Sequence, residues 1–176
     1  GTIYKEGTTS FSATRTGTGS GVSNQPSTSD GLAAQILYDT SKGDEWRITR
    51  LYLAFDVSAY ATGYTITNLK LYYTPTLTTT SSFKIAVIKS TAQGDADADL
   101  ATSDYYTPLD YSVDYADNDG TDIWADSTSL SYFDLNATAI AAFDSDYTNS
   151  YVKLAIVEYT HDYNNAAPAF VTDWKA

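Results

Sequence analysis

The chain has 176 residues, of which 43% are hydrophobic and 18% are charged, so a folded domain with a sizeable core is expected rather than a disordered chain. The formal net charge is −12 and the ten basic residues are scattered, which argues against nucleic-acid binding. Cysteine is absent, so disulfides and thiolate chemistry are excluded, and no apolar run is long enough to insert into a membrane. Methionine is also absent, and Gly1 is interpreted as a processed end, an expression scar or the start of a fragment.

The first 35 residues are rich in glycine, serine and threonine, with the run TGTGSG at 16–21 in their centre. This composition is typical of a loop or an extended arm. Short strands are expected at its two ends, at 2–5 and 32–39. We therefore predict an N-terminal arm over residues 1–35 of a single domain that covers 1–176.

Alternation of apolar and polar residues with a period of two predicts a β-strand with one buried face. It occurs in the segments at 50–57, 69–74, 83–89 and 151–159, and more briefly at 130–135. Asn136 is a suitable N-cap for one short helix at 137–143. The sequence predicts an all-β fold, an antiparallel β-sandwich or jelly roll with one short helix.

The apolar positions of these strands form the predicted core: Leu53, Phe55, Leu71, Ile85, Leu154 and Ile156. The alternate positions of the first strand, Arg50 and Tyr52 among them, are assigned to the polar face. On this assignment Phe55→Ala is expected to cost about 3–5 kcal/mol by leaving a cavity.

Residues 90–128 form a long acidic loop, rich in tyrosine, between the strands. The segment DNDGTD at 117–122 places the oxygen ligands of Asp117, Asp119 and Asp122 around a glycine, an arrangement that suits Ca²⁺. Thr128 stands where an EF-hand has glutamate, so the loop is not an EF-hand, and a solvated acidic turn is the simpler interpretation. The run of Asp95, Asp97 and Asp99 is a weaker candidate.

Aromatic side chains of the same loop are candidates for binding a ligand or another protein. An apolar ring with a polar tip suits glycans and protein interfaces equally. The predicted residues are Trp124, Tyr105, Tyr106 and Tyr111. Trp46, at the start of a strand, is expected to pack in the core.

No motif for catalysis stands out. His161 is the sole histidine, and its neighbour Asp162 would point to the opposite face of a strand, so a catalytic triad is not expected. With 22 acidic residues, some carboxylate pair suited to glycoside hydrolysis is always present, and this carries no weight. We predict that the chain is not an enzyme and has no cofactor other than calcium.

Two blocks of the sequence resemble DNRLRE-type β-sandwich domains. The first is RLYLAFDVS at 50–58 with YTITNLKLY at 64–72, and the second is YFDLNATAI at 132–140, followed by YVKLAI at 151–156 and DYNNAAPAF at 162–170. Phe170 stands where that pattern usually has tryptophan, and the chain reaches Ala176 before the closing strand of the pattern. Such domains occur in tailed-phage structural proteins and in bacterial surface or carbohydrate-binding modules.

The resemblance implies a virion or extracellular location and a structural role. The leading expectation is a decoration, head-fibre or tail-associated protein of a tailed phage that touches glycans. The alternative is a secreted bacterial surface or carbohydrate-binding module. A missing closing strand, the N-terminal arm and the high tyrosine content together predict a homo-oligomer whose arm or C-terminal segment crosses to a neighbouring subunit, or contacts other virion proteins.

Overall fold

The computed structural model describes residues 1–8, 10–23, 34–39, 43–59, 65–74, 83–92, 99–116, 123–124, 131–146, 151–168 and 174–175. Strands dominate this part of the chain and pair antiparallel, which confirms the all-β prediction. The strands are β1 (Thr2–Thr8), β2 (Gly21–Ser23), β3 (Gln35–Asp39), β4 (Glu45–Asp56), β5 (Lys70–Tyr73), β6 (Phe83–Ser90), β7 (Leu109–Asp110), β8 (Ile123–Trp124), β9 (Ser131–Asp134), β10 (Tyr151–Glu158) and β11 (Trp174–Lys175). The helices are α1 (Phe11–Arg15) and α2 (Ala137–Asp146), with a 3-10 turn at Thr102–Tyr105 and a π-helical turn at Tyr159–Tyr163.

The large sheet is built around the twelve-residue strand β4. β4 pairs with β1 across residues 46–51, with β3 across 45–49 and with β10 across 51–56. β10 in turn pairs with β6. Of the four segments with the clearest alternation, those at 50–57, 83–89 and 151–159 are therefore neighbours in this sheet, whereas the one at 69–74 lies in the second sheet.

The second sheet consists of β5 and β9, with Leu71 directly opposite Phe133. Both side chains are buried against the large sheet, in one cluster with Leu154 and Ile156. Helix α2 adds the fully buried Ala139 to this cluster, and Asn136 caps the helix as predicted, its Oδ1 accepting from the N–H of Ala139 at 3.0 Å. The two sheets thus enclose one core, as in a sandwich.

The large sheet buries its other face as well, and here the expectation of a single buried face is wrong. Ile48, Tyr52 and Ile88, on the face away from the small sheet, are buried in a second cluster. Phe11 of α1 and Tyr105 of the 3-10 turn belong to the same cluster and pack on this face. The large sheet is therefore the middle layer of the molecule.

The core prediction is correct for Leu71, Ile85, Leu154 and Ile156, which are buried, but wrong for Phe55, which is 40% exposed. Leu53 is half-buried. The register with β1 and β3 stops at Leu51 and Thr49, so within the described residues the end of β4 extends beyond both strands and pairs with β10 only. A cavity cost of about 3–5 kcal/mol is consequently not expected at Phe55, because its ring is already partly in water.

The N-terminal arm prediction is also corrected by the structure. Over residues 1–23, the described part of that segment folds against its own chain: β1 pairs with β4, and β2 pairs with β1. Ser10 caps α1 by accepting from the N–H of Ala13, and Ile3 and Phe11 are buried in the second cluster. Glycine at 17 adopts a positive φ of 94°, which explains part of the glycine content without an extended arm.

Candidate functional site

Two arginines and an aspartate are buried on the face of the large sheet that carries α1. Arg50 of β4 and Asp162 of the π-helical turn have no exposed surface, and Arg15 of α1 has almost none. We call these three residues the arginine–aspartate cluster. The assignment of Arg50 to a polar outer face is wrong, because α1 and the 3-10 turn cover that face.

Arg50 and Asp162 form a two-point ion pair. Arg50 Nε donates to Asp162 Oδ2 at 2.7 Å, and Nη2 donates to Oδ1 at 2.8 Å. The guanidinium also donates to two backbone carbonyls, from Nη1 to Tyr105 at 2.7 Å and from Nη2 to Arg15 at 2.7 Å. A planar fork that matches a carboxylate in this way is the strong form of the interaction.

Arg15 and Tyr111 complete the shell around Asp162. Arg15 Nε donates to the Asp162 carbonyl at 2.6 Å and lies 3.4 Å from Oδ1. The Tyr111 hydroxyl donates to the same Oδ1 at 3.2 Å. Burial is the largest single influence on the pKa of Arg50 and lowers it, but the charge of Asp162, the hydrogen bond to Asp162 and the neighbouring Tyr111 and Tyr105 together raise that pKa well above its usual value. The arginine therefore stays charged.

The π-helical turn that carries Asp162 is held by Glu158, the last residue of β10. Its carboxylate accepts from the backbone N–H groups of Thr160, His161 and Asp162. Burial raises the pKa of Glu158 despite these three donors. His161 Nδ1 lies 2.9 Å from the carbonyl of Ala166, a geometry in which that nitrogen acts as the donor.

Tyr105 was predicted from the sequence as a ligand-binding residue, but its side chain is fully buried and cannot contact a ligand from solvent. Its hydroxyl donates to the carbonyl of Thr14 at 2.8 Å, and its own carbonyl accepts from the Tyr52 hydroxyl at 2.6 Å. This prediction is therefore wrong. Tyr105 is part of the packing that encloses the arginine–aspartate cluster.

Tyr106 and Tyr111, from the same prediction, are half-buried and lie side by side with ring centroids 5.6 Å apart. Tyr163 continues the row at 6.4 Å from Tyr111, and Tyr159 stacks on Tyr163 at 5.4 Å. The Arg15 guanidinium carbon lies 4.5 Å from the centroid of Tyr111. These rings lie in a row beside the arginine–aspartate cluster. Tyr159 and Tyr163, from the π-helical turn, were not among the residues predicted from the sequence.

The arrangement indicates a structural joint rather than a reaction centre. The principal polar atoms of Arg50 and Asp162 are already engaged with each other, with backbone carbonyls and with Tyr111. The cluster ties together α1, β4, the 3-10 turn and the π-helical turn. A buried pair of this kind fixes the relative position of such elements more than it adds stability.

The buried tyrosines give a pH-dependent prediction. Burial raises the pKa of Tyr52, Tyr105 and Tyr111 well above the usual value, although the charge of Arg50 lowers it. Unfolded tyrosine ionises at about pH 10. Above that pH only the unfolded state loses these protons, so the stability present at lower pH is lost as the pH rises. Phenolate absorbance should show a group of tyrosines that ionise only on alkaline unfolding; simultaneous ionisation of all 16 near pH 10 with the fold intact would contradict this.

Among the described residues, the two most exposed large aromatic side chains lie on the outer face of the small sheet. Tyr72 of β5 and Tyr132 of β9 are directly opposite each other, 57% and 48% exposed, with ring centroids 5.5 Å apart. Beside them Lys70 Nζ lies 3.2 Å from Asp134 Oδ1 and 3.6 Å from the centroid of Tyr132. These four residues are the Tyr72–Tyr132 face. Both tyrosines alternate with buried residues of their strands, which predicts an outward position, but the sequence alone carries no signal that pairs them.

The calcium prediction is untested, because Asp117, Asp119 and Asp122 lie outside the described residues, as do Asp95 and Asp97. Within the described ranges no group of three or more histidine, cysteine, aspartate or glutamate side chains is arranged to hold a metal.

The three tryptophans differ in what the structure says of them. Trp46 is buried in the core, as predicted. The backbone of Trp124, in β8, pairs with that of Phe83 in β6. The side chains of Trp124 and Trp174 lie outside the described part of the chain. The prediction of Trp124 as a ligand-binding residue therefore stays a prediction.

Comparison with known proteins adds no relative: no family model, no curated protein and no solved structure matches the chain significantly. The resemblance to DNRLRE-type domains therefore stays a prediction. No helix in the described ranges combines the length and the apolarity needed to cross a membrane.

Proposed function

We propose that this chain is a non-enzymatic structural protein of a tailed-phage virion, of the decoration or fibre type, which assembles as an oligomer and contacts glycans at the particle surface. The observation that carries the proposal is the Tyr72–Tyr132 face, where two aromatic rings are exposed to solvent on the outer side of a small sheet. The inner side of that sheet packs in the core through Leu71 and Phe133. Exposed aromatic residues on a rigid support are typical of recognition surfaces.

The buried charges support a structural role. A catalytic acid or base must reach a substrate with a proton or an electron pair. Arg50 and Asp162 are fully buried, and the atoms with which they would react are used in the contacts that join four segments of the fold. The same contacts resist local opening, a property suited to a particle surface.

A secreted surface or carbohydrate-binding module is the second candidate, and one observation favours it. The described N-terminal residues fold against their own chain, with Ile3 fully buried, so this part of the fold needs no second subunit for completion. Under this alternative the Tyr72–Tyr132 face works in a monomer.

The two candidates are separated by where the protein is found and in how many copies. If the chain is a virion protein, an antibody against it should label particles purified from their host. Mass spectrometry of those particles should give a number of copies per particle that is a multiple of the rotational symmetry at the position that the protein occupies. A protein that is monomeric at high concentration in sedimentation experiments and absent from particles contradicts the virion role and leaves the secreted module.

A further inference from the structure

We propose that the Tyr72–Tyr132 face is a binding site for a neutral glycan, with the ring of Tyr72 stacked on the apolar side of a sugar ring and the Lys70–Asp134 pair hydrogen-bonded to its hydroxyl groups. The inference rests on the proposed function and deepens it, since it names the site and the class of ligand. It uses four residues that are in register across β5 and β9.

Tyr72 has the more accessible ring of the two tyrosines. One side of Tyr132 is occupied by the ammonium group of Lys70, 3.6 Å from the ring centroid, and Tyr72 lies against it at a tilt of 53°. Tyr72 is 57% exposed. A sugar presents C–H groups on one side of its ring, and an aromatic face with a polar tip matches that surface.

The position of Tyr72 is fixed from below. On the inner side of the same strands, Leu71 and Phe133 are buried, and Tyr73 stacks on Phe133 with centroids 4.2 Å apart and planes within 6° of parallel. Little backbone freedom remains to be lost when a ligand binds. Such preorganisation reduces the cost of association.

The charges of the face select the ligand. Lys70 supplies donors and Asp134 supplies acceptors 3.2 Å apart, and their side chains are 29% and 51% exposed, so both reach the surface. Sugar hydroxyls both donate and accept, which fits such a pair. The face is locally neutral, while the chain as a whole carries a net charge of −12 that repels an acidic glycan. A neutral glycan meets no such repulsion.

The test is binding of the intact chain to a panel of neutral and acidic oligosaccharides, followed by calorimetry on the best neutral ligand. We expect Tyr72→Ala to weaken binding by roughly tenfold or more, and Tyr72→Phe to retain most of it, because the ring rather than the hydroxyl makes the contact. Phe55→Ala is the matched control, since Phe55 is another exposed aromatic residue but lies at the end of β4 in the other sheet. Circular dichroism checks that each variant is folded.

Three results would overturn the proposal: unchanged binding by Tyr72→Ala, binding of acidic glycans alone, or no binding of any glycan. Absence of glycan binding together with a Tyr72-dependent change in sedimentation would make the face a contact between copies of the chain. Failure of the site and failure of the virion role remain distinct. Protein that is present on particles but binds no glycan disproves only the site, whereas Tyr72-dependent glycan binding by a protein absent from particles disproves only the virion role.

Discussion

Replacement of Asp162 by asparagine is expected to lower the free energy of unfolding by about 3–5 kcal/mol, the loss typical of removing one partner from a buried ion pair. Asp162 has no exposed surface and accepts two hydrogen bonds from Arg50 at 2.7 and 2.8 Å. Asparagine keeps the shape but removes the charge of Asp162, the ion-pair partner of both Arg50 and Arg15 among the described residues. The large cost comes from the two buried arginine charges that lose this partner.

Asp134→Asn is the matched control, because it makes the same chemical change in an ion pair that reaches solvent. Lys70 and Asp134 lie 3.2 Å apart, close to the separation in the buried pair, but their side chains are 29% and 51% exposed. Water already solvates both groups, so this variant should change stability little or not measurably. Urea unfolding at neutral pH measures both variants, and equal losses would show that Asp162 is not buried as described.

A third variant keeps this prediction testable if Asp162→Asn does not fold. Tyr111→Phe removes the hydroxyl that donates to Asp162 Oδ1 at 3.2 Å and leaves the ion pair in place. Its expected cost is about 0.5–1.5 kcal/mol, that of one hydrogen bond. A loss as large as the one expected for Asp162→Asn would show that the hydroxyl, and not the arginine charge, is the essential partner.

The strands of the sandwich could be predicted because alternation is a local property. Leu154 and Ile156 are buried where the pattern placed them, and the cap at Asn136 needs only contacts three residues away. The second buried face was missed, although the sequence of β10 contains a signal for it, the unbroken apolar run at 154–157. In the structure every residue from Val152 to Glu158 is buried. A nearly continuous apolar run indicates a strand that is covered on both faces.

The arginine–aspartate cluster could not have been predicted by the same reasoning. Arg50 and Asp162 are 112 residues apart, and nothing near either residue indicates the other. An arginine in an alternating strand is interpreted as exposed unless the element that covers it is known. The Tyr72–Tyr132 face could be predicted in part. Alternation within β5 and within β9 predicts that each tyrosine points outward, but the contact between the two rings depends on the register between the strands. The sequences of two short strands do not determine that register.

Deletion of residues 1–8 is expected to abolish the native fold, in contrast to the small effect expected for an arm composed of glycine, serine and threonine. The deletion removes β1, which pairs with the central strand β4 across residues 46–51 and is the partner of β2. It also removes Ile3, which has no exposed surface. Loss of the cooperative thermal transition in near-ultraviolet circular dichroism is the expected result.

A point substitution tests the same packing in a protein that retains all of its strands. Ile3→Ala should cost about 2–5 kcal/mol, because it leaves a cavity in the cluster that Ile3 shares with Phe11 and Ile48. Phe55→Ala removes a larger side chain but one that is already 40% exposed, so it should cost clearly less despite its size. The reverse order, with the exposed phenylalanine more important than the isoleucine, would mean that β1 does not pack on β4 and that the N-terminal segment is an extended arm after all.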